Sequence, residues 1–416
     1  MLKFIDLFCG IGGFHQAMNK LTIPTECVFA CDIDKECRKI YHQNYGLLPA
    51  EDITKVDEKM LPDFDVICAG FPCQSFSQAG KKLCLEDKRG LLFEHILRIA
   101  KEKRPRFMFL ENVKHIKKID EGKVFEHILK RIKETGYNVQ VEELSPHKLG
   151  IPQHRERVIF ICTAIPLAVG IPEISLIEAV GLKDKIPFIL PTITETTDQQ
   201  IQKILLPLTE EREKYLIPKE LVSVLEAWNE MVQVFEVGEN MSPTILCKEF
   251  LTDLTDMPTA SGIAPTASSG IAWKQDYIKK NKRIYQKYES LWQNWLTKHQ
   301  QLLNKKEIYA KLEWQAGKKR ENDSIWDHFI QLRQSGIRVK KGDFFPALVA
   351  IVQVPIYAKE RRYICPRECA RLQSFPDSFI MHEKDKIAYK QFGNAVNVDV
   401  LHFFIKGTLD VSIKNT

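Results

Sequence analysis

The sequence predicts an α/β fold, a mostly parallel sheet covered on both faces, with a second domain inserted before the chain returns to the first. Three observations carry that expectation. Short apolar runs alternate with amphipathic stretches over the first ~165 residues, the rhythm of strand–helix–strand units. The rhythm stops after about residue 170, and all six tryptophans lie between Trp228 and Trp326. The chain then closes on Tyr389-Lys390-Gln391-Phe392-Gly393-Asn394-Ala395-Val396 and a further apolar helix, suited to rejoin the first domain.

Each element follows from its own pattern. Lys3–Phe8 is a short apolar strand, followed by glycines and a helix from about Gly13 to Asn19. Cys27–Cys31 reads as a second strand, with a helix opening near Lys35. Asp65–Ala69 is a third. Helix 91–103 leads to a strand at Phe107–Leu110, helix 122–135 feeds a strand near 137–143, and Arg157–Cys162 ends the set. Further on, Thr259–Ser269 reads as a loop. Tyr277, Ile278, Tyr285, Tyr288, Leu291, Trp292 and Trp295 then share one broad helical stripe, better suited to a core than to a ligand.

Bulk properties set limits. A chain of 416 residues holds two or three domains, and a net charge of +6 permits a nucleic-acid partner without requiring one. Eleven scattered cysteines, many inside apolar runs (Cys27, Cys31, Cys68, Cys162), read as small buried hydrophobes of a reducing compartment. The Cys27/Cys31 and Cys365/Cys369 spacings lack a second pair or nearby histidines, so no metal is expected. With no positive-then-apolar leader and no long apolar run, a cytoplasmic protein without membrane contact is expected.

Four stretches carry chemistry. Asp6-Leu7-Phe8-Cys9-Gly10-Ile11-Gly12-Gly13 joins a strand to a helix, where glycines let a ligand approach the backbone. Asp32 ends the next strand, placed to accept hydrogen bonds from both hydroxyls of a ribose, and Asp52 is placed to meet an adenine amino group. These features fit any adenosine cofactor. Gly70-Phe71-Pro72-Cys73-Gln74-Ser75-Phe76-Ser77 sets one cysteine directly after an apolar strand in a proline-stiffened turn. A thiol there suits a nucleophile, because the thiolate forms readily and adds to carbon. Glu111, at the end of the strand before Asn112 and Val113, suits a carboxylic acid with a pKa raised in a closed site. Cytosine C5 is a poor nucleophile until a thiolate adds at C6 and an acid attends N3, so this pair suits methylation of that carbon. In Gln153-His154-Arg155-Glu156-Arg157-Val158, the forked donors of Arg157 suit a pyrimidine O2 carbonyl or a phosphate, Arg155 is placed to support it and Glu156 to pair with either. Alternation leaves open whether Arg157 faces the site or forms an edge-strand salt bridge. Ser75–Leu91 is polar with few core anchors and suits a lid, with Ser77 and Arg89 as phosphate contacts.

Taken in order with Arg367-Glu368-Cys369-Ala370-Arg371-Leu372-Gln373-Ser374-Phe375-Pro376-Asp377 and Gln391-Phe392-Gly393-Asn394, these segments closely resemble the cytosine-C5 DNA methyltransferases of bacterial restriction–modification systems. The resemblance covers nearly all of 1–165 and 363–402. It implies a Rossmann-like S-adenosylmethionine-dependent methyltransferase domain with a mixed, mostly parallel sheet and an inserted smaller target-recognition domain. It implies that Phe8, Gly10, Ile11 and Gly13 line the S-adenosylmethionine pocket, with Asp32 on the ribose, where this family often has Glu, and Ile33 against adenine. Asp52 and Ile53 complete the adenine site, and Pro72, Leu92, Asn394 and Val396 contact the cofactor from nearby loops. Cys73 is similar to the family's nucleophile, Glu111 to its N3-contacting acid, and Arg155 and Arg157 to its active-site arginines. The product implied is S-adenosylhomocysteine. The partners implied are duplex DNA with a specific short target and a separately acting cognate restriction endonuclease, and the expected state is a monomer.

The domain limits expected are 1–179 for the catalytic domain, 180–387 for target recognition together with a returning motif segment, and 388–416 for the segment completing the first. Basic clusters at Lys279–Arg283, Lys318–Arg320, Arg338–Lys341 and Lys359/Arg361/Arg362 suit phosphates, and Thr259–Ser269 and Gln334–Gly342 are the candidate base-reading loops. Rival readings are an RNA (tRNA) cytosine-C5 methyltransferase, a non-catalytic DNA-binding regulator and an NAD-dependent dehydrogenase. The last leaves Cys73 and Glu111 without paired roles.

Overall fold

The structure, a computed structural model, describes residues 1–72, 91–165, 185–207, 209–241, 244–247, 280–349 and 353–414. The chain forms two compact units, one of Met1–Ile204, Val349–Val352 and Pro366–Thr416, the other of Leu205–Leu348 and Gln353–Cys365.

The first unit opens with β1 (Leu2–Leu7), α1 (Gly13–Asn19), β2 (Thr25–Cys31), α2 (Lys35–Tyr45) and β3 (Val66–Gly70). It continues through α3 (Leu91–Lys103), β4 (Phe107–Val113), α4 (Lys123–Glu134), β5 (Tyr137–Leu144), the two-residue β6 (Gln153–His154), β7 (Arg157–Ala164) and α5 (Thr197–Ile204). Its six-stranded sheet runs β2-β1-β3-β4-β7-β5. The β1–β2, β1–β3 and β3–β4 pairs are parallel, whereas β7 is antiparallel to both neighbours. The mixed, mostly parallel sheet expected from the sequence is the one observed.

Local sequence explains the elements. Val66–Ala69 is buried at every position, as a strand covered on both faces requires. Helix α2 starts where the Asp34 carboxylate accepts the backbone N–H groups of Glu36 and Cys37, and stops at Gly46 in the left-handed region. In α4, Val124, Ile128 and Ile132 recur every fourth residue on the buried face. These side chains join Ile5, Leu7, Ile67, Met108, Leu110 and Phe160 from the sheet and Phe93, Ile96 and Leu97 from α3 in one core. Burial of each contributes about 1.5–3 kcal/mol. The core fixes where the strands end, and the strand ends carry the candidate site.

The second unit contains α6 (Lys219–Val234), β8 (Thr244–Cys247), α7 (Glu289–Leu303), β9 (Lys311–Gln315), β10 (Phe329–Arg333), β11 (Gly336–Lys340), β12 (Phe345–Pro346), β13 (Ile356–Tyr357) and β14 (Arg362–Tyr363). Its sheet has the order β14-β13-β10-β11-β9-β8. Trp228, Trp292, Trp295 and Trp314 pack with Leu225, Ile330, Ile337 and Val339. The Trp228 and Trp295 indoles donate to the carbonyls of Tyr309 (2.9 Å) and Ala227 (2.6 Å). The aromatic stripe is therefore core at Tyr288, Trp292 and Trp295, but Leu291 is 47% exposed.

After Val349–Val352, the lasting return to the first unit begins at Pro366, so the returning motif segment counted above with target recognition belongs to the first unit. The reason is aromatic packing: Phe375 and Phe379, which follow α8 (Pro366–Leu372), sit 5.6 and 6.3 Å from Phe392 in α9 (Asp385–Asn394). Residues 185–204 also belong to this unit rather than the inserted one, with the Phe188 ring packed tilted on Phe403 and edge-on to Phe404 of α10 (Val398–Lys414). Among the described residues no helix is long and apolar enough to cross a membrane.

Candidate active site

The carboxyl ends of β1 to β4 gather the candidate residues into one region of the first unit. After β1 the chain turns sharply, with Phe8 at φ 54° and Gly10 at φ 53°. A side chain on Gly10 would meet nothing within 4 Å, so the loop leaves open space there for a ligand. Asp32 holds this loop. Its carboxylate accepts the backbone N–H of Gly10 at 2.8 Å and that of Asp34 at 2.7 Å. Burial pushes its pKa up, and the two N–H groups hold it back down. A carboxylate offers about four acceptor sites, so capacity remains for a diol. Ile33 beside it is 81% exposed, an apolar surface of the kind a purine ring covers.

Asp52 caps the short helix Ile53–Lys55, its carboxylate accepting from the Thr54 N–H and hydroxyl at 2.9 and 2.7 Å. Those bonds lower its pKa. The Ile53 side chain is 4% exposed and belongs to the core. The apolar partner position after a strand end is here spent on packing. Leu92 is half-buried against the same core, and Pro72 is half-buried at the exit of β3.

The returning chain closes this region. Arg155, buried, donates from Nη2 to the carbonyls of Gly393 (2.9 Å) and Ala395 (2.8 Å). Lys390 reaches the Asp34 carboxylate at 2.8 Å. Asn394 is exposed and Val396 half-buried. A methyl group on Gly13 would lie 2.7 Å from Val396 Cγ2 and 3.0 Å from its carbonyl oxygen. Gly13→Ala is therefore expected to lower stability by about 1–3 kcal/mol through overpacking. Val396→Ala should relieve part of that loss, which a double-mutant cycle of melting temperatures measures.

At the other end of the site, Glu111 lies opposite Gly70 in the β3–β4 register, buried to 7% exposure. Arg157 Nε sits 2.7 Å from Glu111 Oε1. Burial raises the Glu111 pKa above the ordinary glutamate value, and the charges of Arg157 and Arg155 offset part of the rise. Arg157 thus faces the site, and its strand lies inside the sheet between β4 and β5, not at an edge. Glu156 does not fill its expected role. Its carboxylate pairs with Lys114 at 2.9 Å, and only its carbonyl meets Arg157. Arg155 likewise braces the returning chain rather than Arg157. Glu111, Arg155, Arg157, Val396 and Asn397 line one small pocket.

Two residues gain roles that their sequence did not announce. Asn112 donates to the Phe71 carbonyl at 3.0 Å, fixing the backbone directly before Pro72. Its place beside Glu111 was the available signal. Ser145 accepts the Arg155 N–H at 2.9 Å, a pairing across a loop that no local pattern reveals. Cys73, Ser77 and Arg89 lie outside the described residues. The thiols of Cys9, Cys27, Cys31, Cys37, Cys68 and Cys162 are all pushed up in pKa, with burial as the leading cause. Such thiols are inert.

Comparison with known proteins bears on this arrangement. Residues 2–409 match the family model described as C-5 cytosine-specific DNA methylase. The chain is 30% identical over 402 residues to the Type II methyltransferase M.HhaI of Haemophilus parahaemolyticus, covering 97% of this chain and 92% of that protein. It is 31% identical over 434 residues to M.HgiCI of Herpetosiphon aurantiacus, covering 96% of each. Its fold is similar to that of the Dnmt2 methyltransferase of S. pombe, with a TM-score of 0.53, 20% identity and 99% of both chains covered. A putative DNA modification methyltransferase from an E. coli prophage aligns similarly, with a TM-score of 0.54 at 20% identity, covering 99% of each chain. The chain therefore belongs to the C-5 cytosine-specific DNA methylase family, as a DNA cytosine-5-methyltransferase of the restriction–modification type.

Proposed function

We propose that this protein uses S-adenosylmethionine to methylate C5 of a flipped-out cytosine in a specific duplex sequence, through a covalent bond from Cys73 to C6. The observation that carries the reading is the placement of Glu111. It is a buried acid paired with Arg157, opposite the last residue of β3, and three residues beyond that strand end the sequence sets Cys73.

The residues present fit the cofactor: open space above Gly10, the Asp32 carboxylate on its backbone N–H and the exposed Ile33 beside it. When bound, S-adenosylmethionine supplies an electrophilic methyl group. Asp32 holds the ribose hydroxyls, Asp52 and the Ile33 surface orient the adenine, and Phe8, Ile11, Leu92 and Pro72 shield the reacting end from water. Asn394 and Val396, fixed by the grip of Arg155 on the neighbouring carbonyls, close the pocket from the returning chain.

Flipping is required because C5 and C6 are inaccessible inside the stack. The Cys73 thiolate adds to C6, and the electron pair of the C5–C6 double bond moves toward N3. Glu111 donates to N3 as that charge develops, and Arg157 orients the acid while its remaining donors face O2. C5, now enamine-like, takes the methyl group. Removal of the C5 proton and expulsion of Cys73 restore the aromatic ring. Ser77 and Arg89 are the phosphate contacts of this reading.

Asp32→Ala is expected to weaken S-adenosylmethionine binding by about 10- to 100-fold, the loss that follows from deleting a charged hydrogen-bond acceptor. Calorimetric titration checks it. The whole reading is tested with a duplex carrying 5-fluorocytosine at the methylated position. Fluorine blocks release after methyl addition, so a denaturation-resistant protein–DNA adduct is expected. Transfer of tritiated methyl groups to tRNA alone, with none to duplex DNA, would defeat it.

A further inference from the structure

Two arginines of the first unit hold main-chain carbonyls at the edge of the candidate cofactor site, and the chemistry described above uses neither. Arg98 lies in α3. Its Nη2 donates to the carbonyls of Ile53 and Val56, both at 2.7 Å, and its Nε donates to His95 Nδ1 at 2.8 Å. Nη1 pairs with the Glu58 carboxylate. Four of the five guanidinium donors are thus committed. Burial, and then the charge of Arg98, lowers the His95 pKa, so the imidazole stays neutral and keeps the lone pair that this Nε–H needs. Arg38 lies in α2. Its Nη1 donates to the carbonyls of Asp32 and Ile33, both at 3.0 Å, and its Nη2 meets the Glu51 carboxylate at 2.7 Å.

The segment between these two grips carries Asp52. It enters beside β2, where the Asp32 N–H donates to the Ala50 carbonyl at 3.0 Å. It leaves through the short helix Ile53–Lys55, with Asp52 at its start and Val56 just past its end. A helix end leaves carbonyls without partners inside the helix, and Arg98 supplies the donor for Val56. Arg98 also belongs to the helix whose first turn carries Leu92. One side chain therefore fixes the Asp52 turn relative to the end of α3 that bears Leu92. Arg38 does the same for Asp32 and Ile33 relative to Glu51.

A guanidinium suits this task. Its donors are planar and fixed, so two carbonyls held by one fork take one relative position. The Arg38 and Arg98 side chains are 11% and 27% exposed, so water competes little for these bonds.

We propose that Arg98 and Arg38 are positioning residues of the methyl-donor site with separate tasks. Arg98 sets the Asp52 carboxylate for the amino group of adenine, and Arg38 sets Asp32 and Ile33 for the ribose and the ring face. The inference rests on the cofactor reading proposed above and adds the parts that make the site selective for adenine.

The test titrates the full chain by calorimetry with S-adenosylhomocysteine and with S-inosylhomocysteine, in which an oxo group replaces the adenine amino group. In the wild type the Asp52 carboxylate then faces an acceptor, and affinity should fall about 10- to 100-fold. In Arg98→Lys a single ammonium cannot hold two carbonyls and His95, so that ratio should drop to about 3-fold or less. Arg98→Met, which has no donor at all, should do the same and serves where the lysine variant is unstable. Arg38→Lys should weaken both ligands alike, by about 3- to 10-fold, and keep the wild-type ratio. Melting temperature reports the folding of each variant. A merely structural role for Arg98 would weaken both ligands by one factor and leave the ratio intact. That result, or loss of the ratio in Arg38→Lys, would overturn the inference. A wild-type chain that binds neither ligand overturns the cofactor reading itself, and one that binds both equally overturns the Asp52 contact, each before any variant is compared.

Discussion

Replacing Cys73 with serine is expected to cut methyl transfer by about four orders of magnitude or more, the scale on which enzymes lose activity when a covalent nucleophile is removed. An alcohol in the same turn is far less ionised than a thiol and less nucleophilic, so C6 stays unattacked and C5 stays inert. Among the described residues, the cysteines of the sheet and its loops offer no substitute, because they are buried with raised pKa values. Cofactor affinity should remain near wild type, since Asp32, Gly10 and Ile33 are untouched. Single-turnover tritium transfer, calorimetry and trapping on the fluorinated duplex together make the measurement. An unchanged rate in Cys73→Ser would end the covalent mechanism.

Glu111→Gln is the second large effect. Loss of a positioned acid costs about 100- to 10,000-fold, and the amide still fills the space between Gly70 and Arg157. The pH profile carries the sharper signature. Because burial raises the Glu111 pKa, the protonated form persists to higher pH than in a free glutamate. The acid is lost as pH rises through that folded value, which gives the rate an alkaline limb. Stability follows the same sign: the folded protein holds the proton more tightly than the unfolded chain, so this contribution is full below the ordinary glutamate pKa of about 4.3 and is lost as pH rises through the folded value. In Glu111→Gln the alkaline limb should vanish along with most of the rate. A full wild-type profile in the variant would remove Glu111 from the chemistry.

The sequence was most legible where chemistry and strand ends coincide. Strands of the first unit are continuous apolar runs, so Lys3–Phe8, Asp65–Ala69 and Phe107–Leu110 were readable within a residue or two, apart from β4, which continues to Val113. Asp32 and Glu111 could be placed because each is the first acid after such a run. Side-chain partners were less legible. Glu156 lies between two arginines in sequence yet pairs with Lys114, a partner 42 positions away that no local pattern reveals. Arg155 was expected to support Arg157 but grips carbonyls far along the chain, a contact that only the tertiary fold defines. In the inserted unit, runs of lysine and arginine suggested several phosphate patches. Acids distant in sequence, such as Glu239 and Glu226, consume most of them.

The grip of Arg155 on Gly393 spans 238 positions of sequence, and Gly13 packs against Val396 from nearer still to the start. On the ribosome, the candidate site therefore stays unfinished until more than 390 residues have been made. Synthesis itself sets a delay: the contacts of Arg155 and Gly13 cannot form until residues through Val396 have cleared the exit tunnel. A fragment released early by a premature stop before Gly393 would be silent as a modifier, even with every reactive side chain of its amino-terminal half in hand.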